Sequence, residues 1–446
     1  MASISFWHDS LEPGDSVTRR PALTSDNDTD VAIIGAGFTG LWTAHSLLRA
    51  DPSMRVVVLE RDVIGFGASG RNGGWCVGDY GGPEKVVAKA GGASAVEQMA
   101  REMHRSVDEV GAVVSQAGID CGYHKGGALY FAVNDGQWRR VLQHHAELVR
   151  HGLGDAWTLL DAKAATEVVR ATGTCGGLIT PHAATVNPAR LVRGLAQEVE
   201  RLGGTIHEGT AVQSFERGAV RTEHGTVRAE VVVLATEAYT RTIDGHDRDM
   251  LPLANTVIAT DPIPDSIWAS IGLGNRELFE YASNMLGYGQ RTADNRIVWG
   301  GLSASYRWKM GIPASSHFVP QVARRLQHRL VELFPELRGI GVTHRWGGVL
   351  GVPRDLLPGV GYDRATGLAW AGGYTGQGVA AANAAGRTLA DLIRGVDSDL
   401  VRLPWVGHQS RPWEPEPRTW LGVHAALTAA HTIDGVDRLR SRARRT

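Results

Sequence analysis

Gly35, Gly37 and Gly40, in "GAGFTG", follow one apolar run and open an amphipathic one. The first glycine permits a tight turn, the second lets backbone approach a pyrophosphate, and the third lets helix pack on strand. The helix start meanwhile offers free N–H groups to an anion. Glu60 ends the next apolar run, where a carboxylate accepts hydrogen bonds from ribose hydroxyls. Turn, helix, strand and acid in this order describe an adenine-dinucleotide site. Soon after Glu60 comes "GASGRNGG", residues 67–74. So few side chains let main chain lie against a flat, charged ring system, with main-chain N–H groups, Arg71 and Asn72 as donors. A third run, "GGYTGQGV" at 372–379, joins a strand to an Ala-rich helix whose positive end stabilises negative charge on a ring edge.

These runs require strands and helices to position them. Asp30 to Ile34 and Val56 to Leu59 read as buried parallel strands, with a helix over Leu41 to Arg49 between them. "VNPARLVRGLAQEVERLGGTIHEGT" has an Asn187 cap and Pro188 at the first helical position, then a strand; Val231 to Ala235 is a further apolar strand. Between these pieces lie helical stretches at Glu84–Gly118 and Asp135–His151, and short strands such as "NTVIAT" and "NRIVWGG" with antiparallel character. The expected class is α/β: a discontinuous Rossmann-like domain (30–83, 180–240 and 340–395) with an inserted α+β substrate domain on an antiparallel sheet (84–179 and 241–339). Residues 1–29 and 396–446 are expected to be terminal extensions.

Length and charge narrow the function. The 446 residues exceed a single core, and 46 basic against 47 acidic residues leave no basic surface for nucleic acid beyond the tail "RLRSRARR". Cys76, Cys121 and Cys175 have neither disulfide nor zinc spacing, so no metal is expected and a reducing cytoplasm fits. No apolar stretch reaches membrane-spanning length, and no secretory signal is visible, so no membrane partner is expected.

"DVAIIGAGFTGLWTAHSLL", "GASGRNGGW", "TVNPARLVRGLA", "VVVLATEAYT" and "GGYTGQGV", in this order, resemble the D-amino-acid oxidase (DAO) family of FAD-dependent amine and amino-acid oxidoreductases. "SFWHDSL" and "RPWEPEPRTWLGV" are most similar to its gamma-glutamylputrescine oxidase branch. The resemblance implies that Gly35, Gly37, Phe38, Thr39, Gly40 and Glu60 hold the ADP half of FAD, with Arg61 by the adenosine and the Val212 backbone at the adenine. Ala68, Ser69, Arg71, Asn72, Gly73 and Gly74 would line pyrophosphate and ring, and Ala235 and Thr236 would pass the diphosphate. Gly373, Thr375, Gly376, Gln377, Gly378 and Val379 would approach the flavin. The chain departs from its relatives at Glu237, where Asn or Gly is common, and at Pro353, where Thr is. It has no cysteine after Cys175, and Arg71 stands where some relatives attach FAD through histidine, so non-covalent FAD is expected, with Cys76 the one exception to consider.

On the substrate side the resemblance implies hydride loss from the carbon beside a neutral amine, with imine hydrolysis following. Arg71, Tyr288, Arg291 and Trp346 are the substrate-side candidates: an arginine to clamp a carboxylate, aromatics to cage an amine. The expected partners are a small-molecule amine and O2 or another electron acceptor, in a monomer or homo-oligomer. Two alternatives stand beside this: an FAD enzyme for 2-hydroxy acids or a monooxygenase, and an FAD-binding subunit of a larger complex.

Overall fold

The computed structural model describes residues 4–11, 19–92, 94–243, 245–312 and 318–443. Two eight-stranded sheets organise the chain. In the first, strand Asn27–Ile34 pairs in parallel with Val56–Leu59 on one side and Thr226–Leu234 on the other. Thr205–His207 extends it beyond Val56–Leu59, and Leu368–Gly372 beyond Thr226–Leu234. Continuous runs of Val, Ile and Leu suit such strands because both faces are covered, one by helices and the other by Leu23, Phe215, Val220 and Ile243 from the 212–222 hairpin and its flanking segments. The covering helices include Phe38–Ala50, Pro188–Arg201 and Gly378–Arg394. Asn187 caps the second through its side chain, as its position before Pro188 predicts.

The second sheet runs in the order Val342–Val352, Leu251–Thr260, Ile297–Ser305, Gly287–Arg291, Leu278–Tyr281, Ala128–Ala132, Gly176–Thr180, Thr158–Leu160. All its pairs are antiparallel except Leu278–Tyr281 with Ala128–Ala132. Phe131, Phe279, Trp299 and Phe334 fill its core beneath helix Pro320–Leu333.

Three segments sit differently from the sequence expectation. Helix Ala95–Gln116, expected in the inserted domain, buries Met99, Met103, Val107 and Val110 in the same core as Ile33 and Val58. Strand Val342–Val352, expected with the Rossmann segments, pairs with Leu251–Thr260 in the second sheet. The terminal segments are packed as well: Phe6 and Trp7 join Val257, Val298 and Trp346, while Leu403 and Trp405 are buried in the first core. Periodicity shows that a face is buried but not against which sheet. Among the described residues no helix is long and apolar enough to cross a membrane.

Helices Phe38–Ala50 and Gly378–Arg394 cross where Gly386 leaves no room for a side chain: a Cβ there would lie 2.6 Å from the Trp42 carbonyl carbon. Gly386→Ala should therefore lower the melting temperature, although Gly→Ala inside a helix ordinarily gains about 1 kcal/mol. A raised melting temperature would show that the helices do not touch there.

Candidate active site

At the carboxyl ends of the parallel strands lies a groove lined by Gly35, Gly37, Phe38, Thr39, Glu60, Arg61, Ala68, Ser69, Val212, Ala235 and Thr236. Ala68 also lines a second cavity, of about 320 Å³, walled by Arg71, Asn72, Gly73, Tyr288, Thr375, Gly376, Gln377 and Val379. Groove and cavity thus meet at one residue. Gly40, Gly74, Gly373 and Gly378 line neither, and act by letting backbone pass close to backbone or side chain.

Within the groove, Ser69 Oγ accepts from Phe38 N–H at 2.9 Å and would lie 2.9 Å from a Cβ at Gly37, so the glycine loop is pressed on the helix start. Glu60 accepts from Ala36 N–H and Asp62 N–H, both at 2.9 Å, and burial raises its pKa. Each carboxylate oxygen keeps a further lone pair for a hydroxyl donor. Arg61 pairs with Asp62 at 2.9 Å and lies 5.1 Å over the ring of Tyr239, a groove residue that sequence reasoning missed.

The glycine loop is pinned through four consecutive carbonyls. Ser5 Oγ donates to Gly70 O (2.9 Å), Trp346 Nε1 to Arg71 O (2.7 Å), Trp7 Nε1 to Asn72 O (2.8 Å) and Gln290 Nε2 to Gly73 O (2.6 Å). Trp346 is therefore a positioning residue outside the cavity, in edge contact with Trp7, and not the substrate contact expected. Arg291 also stays outside, because its guanidinium bonds Asn295 and lies 4.4 Å over Trp268. Alternation along strand Gly287–Arg291 puts Arg291, three residues on, on the face opposite Tyr288, where Asn295 Oδ1 accepts from its guanidinium.

Arg71 does reach the cavity. It is 4 % exposed, donates Nε to Phe66 O at 2.6 Å, stacks on Phe66, and leaves Nη2 without a protein partner. Burial lowers its pKa, and among the described residues no carboxylate forms an ion pair with it. Tyr288 Oη accepts from Asn255 Nδ2 at 2.8 Å and its ring meets Trp75 edge-on. Asn255, Trp75, Glu280 and Leu427 also line this cavity and were not singled out from sequence. The one signal for Glu280 was an acid within the apolar run "LFEY". Cys76, the middle residue of strand Trp75–Val77, lies in the core and lines neither cavity; burial pushes its thiol pKa up.

Glu237, one of the departures, adopts φ +47° and accepts from Gly373 N–H and Tyr374 N–H at 2.9 and 3.2 Å through one oxygen. It fixes the turn from which helix Gly378–Arg394 starts. Thr375 in this turn is also left-handed, at φ +50°, an uncommon backbone for a β-branched residue that marks stored strain. Helix Gly378–Arg394 has no side-chain cap, so its first N–H groups are available to a ligand in the cavity.

A parallel sheet with a dinucleotide groove, opening at a glycine loop into an apolar cavity floored by a second sheet, defines a flavoprotein oxidoreductase. The sequence model of the family described as DAO, FAD dependent oxidoreductase, matches residues 30–392, and the chain belongs to this family. It is 30% identical over 371 residues to gamma-glutamylputrescine oxidoreductase of Escherichia coli (strain K12), covering 82% of this chain and 84% of that one. It is 27% identical to a probable oxidoreductase, OrdL, of Haemophilus influenzae, over 85% of this chain and 86% of the relative. Among solved structures, glycine oxidase from Geobacillus kaustophilus aligns with a TM-score of 0.72 at 20% identity, over 86% of this chain and 99% of that chain. L-Proline dehydrogenase from P. horikoshii aligns with a TM-score of 0.70 at 20% identity, over 85% and 98%. The protein is an FAD-dependent oxidoreductase of a family acting on amines or amino acids.

The residues present suit FAD. The groove offers an acid, a helix start with no N-cap side chain and a slot at Gly37, while the cavity offers a buried arginine whose Nη2 has no hydrogen-bond partner among the described residues. Two outcomes follow from the pinned loop and from Glu237. Trp7→Phe keeps the ring but removes the donor to Asn72 O, and should weaken FAD retention severalfold, as loss of one buried hydrogen bond of about 1–2 kcal/mol predicts; equilibrium dialysis with unchanged FAD affinity would contradict it. Burial raises the Glu237 pKa from 4.5 to about 7. Below pH 4.5 folded and unfolded chains are both protonated at this group; as pH rises through 7 the folded chain holds its proton longer and loses stability, by ~3 kcal/mol in all. The melting temperature of Glu237→Gln relative to the wild type should therefore rise between pH 5 and pH 8, and a constant difference would show that Glu237 titrates normally.

Proposed function

We propose that the protein oxidises the C–N bond of a primary or secondary amine, with non-covalently held FAD and with O2 as the final acceptor, releasing H2O2. The observation that carries this reading is the cavity itself: aromatic and aliphatic walls from Trp75, Tyr288, Leu253, Leu350 and Val257, joined at Ala68 to the dinucleotide groove. FAD supplies the two-electron acceptor for the hydride that leaves the carbon next to nitrogen. The chain's own residues exclude water, favour the neutral form of the reacting amine, and align it. Desolvation by the apolar walls lowers an amine's pKa, so the lone pair needed for hydride loss is available near neutral pH. Tyr288, held by Asn255 and seated against Trp75, gives a rigid aromatic face for the amine-bearing carbon. Arg71 and the open start of helix Gly378–Arg394 supply positive potential where negative charge collects on reduction. Hydrolysis of the released imine needs only water.

The cofactor contacts of this proposal are Gly37, Phe38, Thr39, Glu60 and Arg61 in the groove with Val212, Ala235 and Thr236 opposite, and Ala68 to Gly73 with Thr375 to Val379 at the ring end. Arg71→Ala should lower FAD affinity about tenfold or shift the flavin spectrum, because a buried cationic donor is removed. Anaerobic titration of the enzyme with a panel of amines and 2-hydroxy acids reads the reaction class directly. Bleaching of the oxidised flavin by amines alone is expected; bleaching by hydroxy acids and not by amines would overturn the reading.

A further inference from the structure

Glu280 is a carboxylate that the fold does not use. It sits on strand Leu278–Tyr281, opposite Tyr288 in the antiparallel register and opposite Tyr130 in the parallel one. Phe279 and Tyr281 on either side of it point into the apolar core, so alternation turns Glu280 to the other face, where it lines the cavity beside Tyr288, Asn284 and Met285. No hydrogen bond or ion pair to it is found among the described residues. The cation that serves this end of the strand, Arg140, donates to Ala282 O and to Asp437, both at 2.9 Å. The backbone N–H groups of Asn284 and Met285 donate to Asp434 instead. Burial without a counter-ion pushes the Glu280 carboxyl up to about 8, and the other charge acting on it, Asp79, pushes the same way.

A carboxylate with no partner in a largely apolar cavity is costly to the fold unless a ligand completes it. Arg71 is the cavity's other charged side chain, and it lies with the glycine loop. We propose that Glu280 sets the substrate preference by pairing with a second cationic nitrogen of the amine, so that the enzyme prefers dicationic amines to monoamines of the same length. This rests on the amine-oxidising reading above. The reacting nitrogen must be neutral, whereas the distal one stays protonated, and Glu280 gives that ammonium the counter-charge which the aliphatic walls deny it. The paired carboxylate is then held ionised by the ammonium, and each substrate end is matched to one site.

The test uses the FAD-loaded full chain and two matched pairs of probes, putrescine with butylamine and cadaverine with pentylamine, read by anaerobic flavin bleaching. In the wild type the diamine of each pair should half-saturate at a concentration at least about tenfold lower, the scale of a buried charge-assisted hydrogen bond. Glu280→Gln should abolish that preference, raising the half-saturating concentration for diamines at least about tenfold more than for monoamines; Glu280→Asp should restore part of it. Equal half-saturation of diamine and monoamine in the wild type overturns the proposal without any variant, and leaves amine oxidation standing. So does a Glu280→Gln enzyme that loses bleaching rate with both members of each pair, which would make Glu280 a proton acceptor. If no amine bleaches the flavin, the amine-oxidising reading itself falls, and this inference with it.

Discussion

The site depends on holding a stretch of chain that cannot hold itself. Residues 67–74 carry four glycines and few apolar side chains, so a short 3-10 turn at Ala68–Gly70 and the Asn72 side chain are the main local restraints on their path. Four successive carbonyls, from Gly70 to Gly73, are instead each taken by a side-chain donor from elsewhere: the N-terminal segment, strand Gly287–Arg291 and strand Val342–Val352. With its acceptors engaged by protein, the loop has mainly donors to offer a flat anionic ligand, Arg71 foremost. A mobile loop would make binding bear the cost of ordering it; the indoles of Trp7 and Trp346 have already ordered it in the fold.

The same constraint explains why the two sheets are inseparable at this point. Val342–Val352 is paired with the substrate sheet along its length, yet it carries Trp346 to the loop and Gly347 O to Arg71. Tyr288 and Gln290, on one strand of that sheet, divide the work: Tyr288 forms cavity wall and Gln290 holds Gly73. A strand exposes alternate residues to one side, so a single element contributes at i and i+2 both to the cavity wall and to the glycine loop.

Charge is arranged unevenly along the site. Acids lie at its ends: Glu60 in the dinucleotide groove, with two backbone donors, and Glu280 in the cavity, with none. Glu237 takes a structural role between them, tying down the turn at Gly373 and Tyr374. Burial raises all three carboxyls, and what separates them is whether backbone donors are present to hold the anion.

The sequence by itself determined the local chemistry. GAGFTG, Glu60 and the apolar strands around them specify a dinucleotide fold because the turn, the helix start and the acid are fixed by neighbours within one βαβ unit. Asn187 and Pro188 set a helix start for the same reason. Tertiary structure alone decided the roles of Trp7, Trp346, Arg291 and Glu280. Each depends on which partner the fold brings to it across long sequence separations: Asn72 for Trp7, Arg71 for Trp346, Trp268 for Arg291 and, among the described residues, no ion-pair partner for Glu280. Side-chain type limits what a residue is able to bond, while only the packing of the two sheets settles what stands within 3 Å of it.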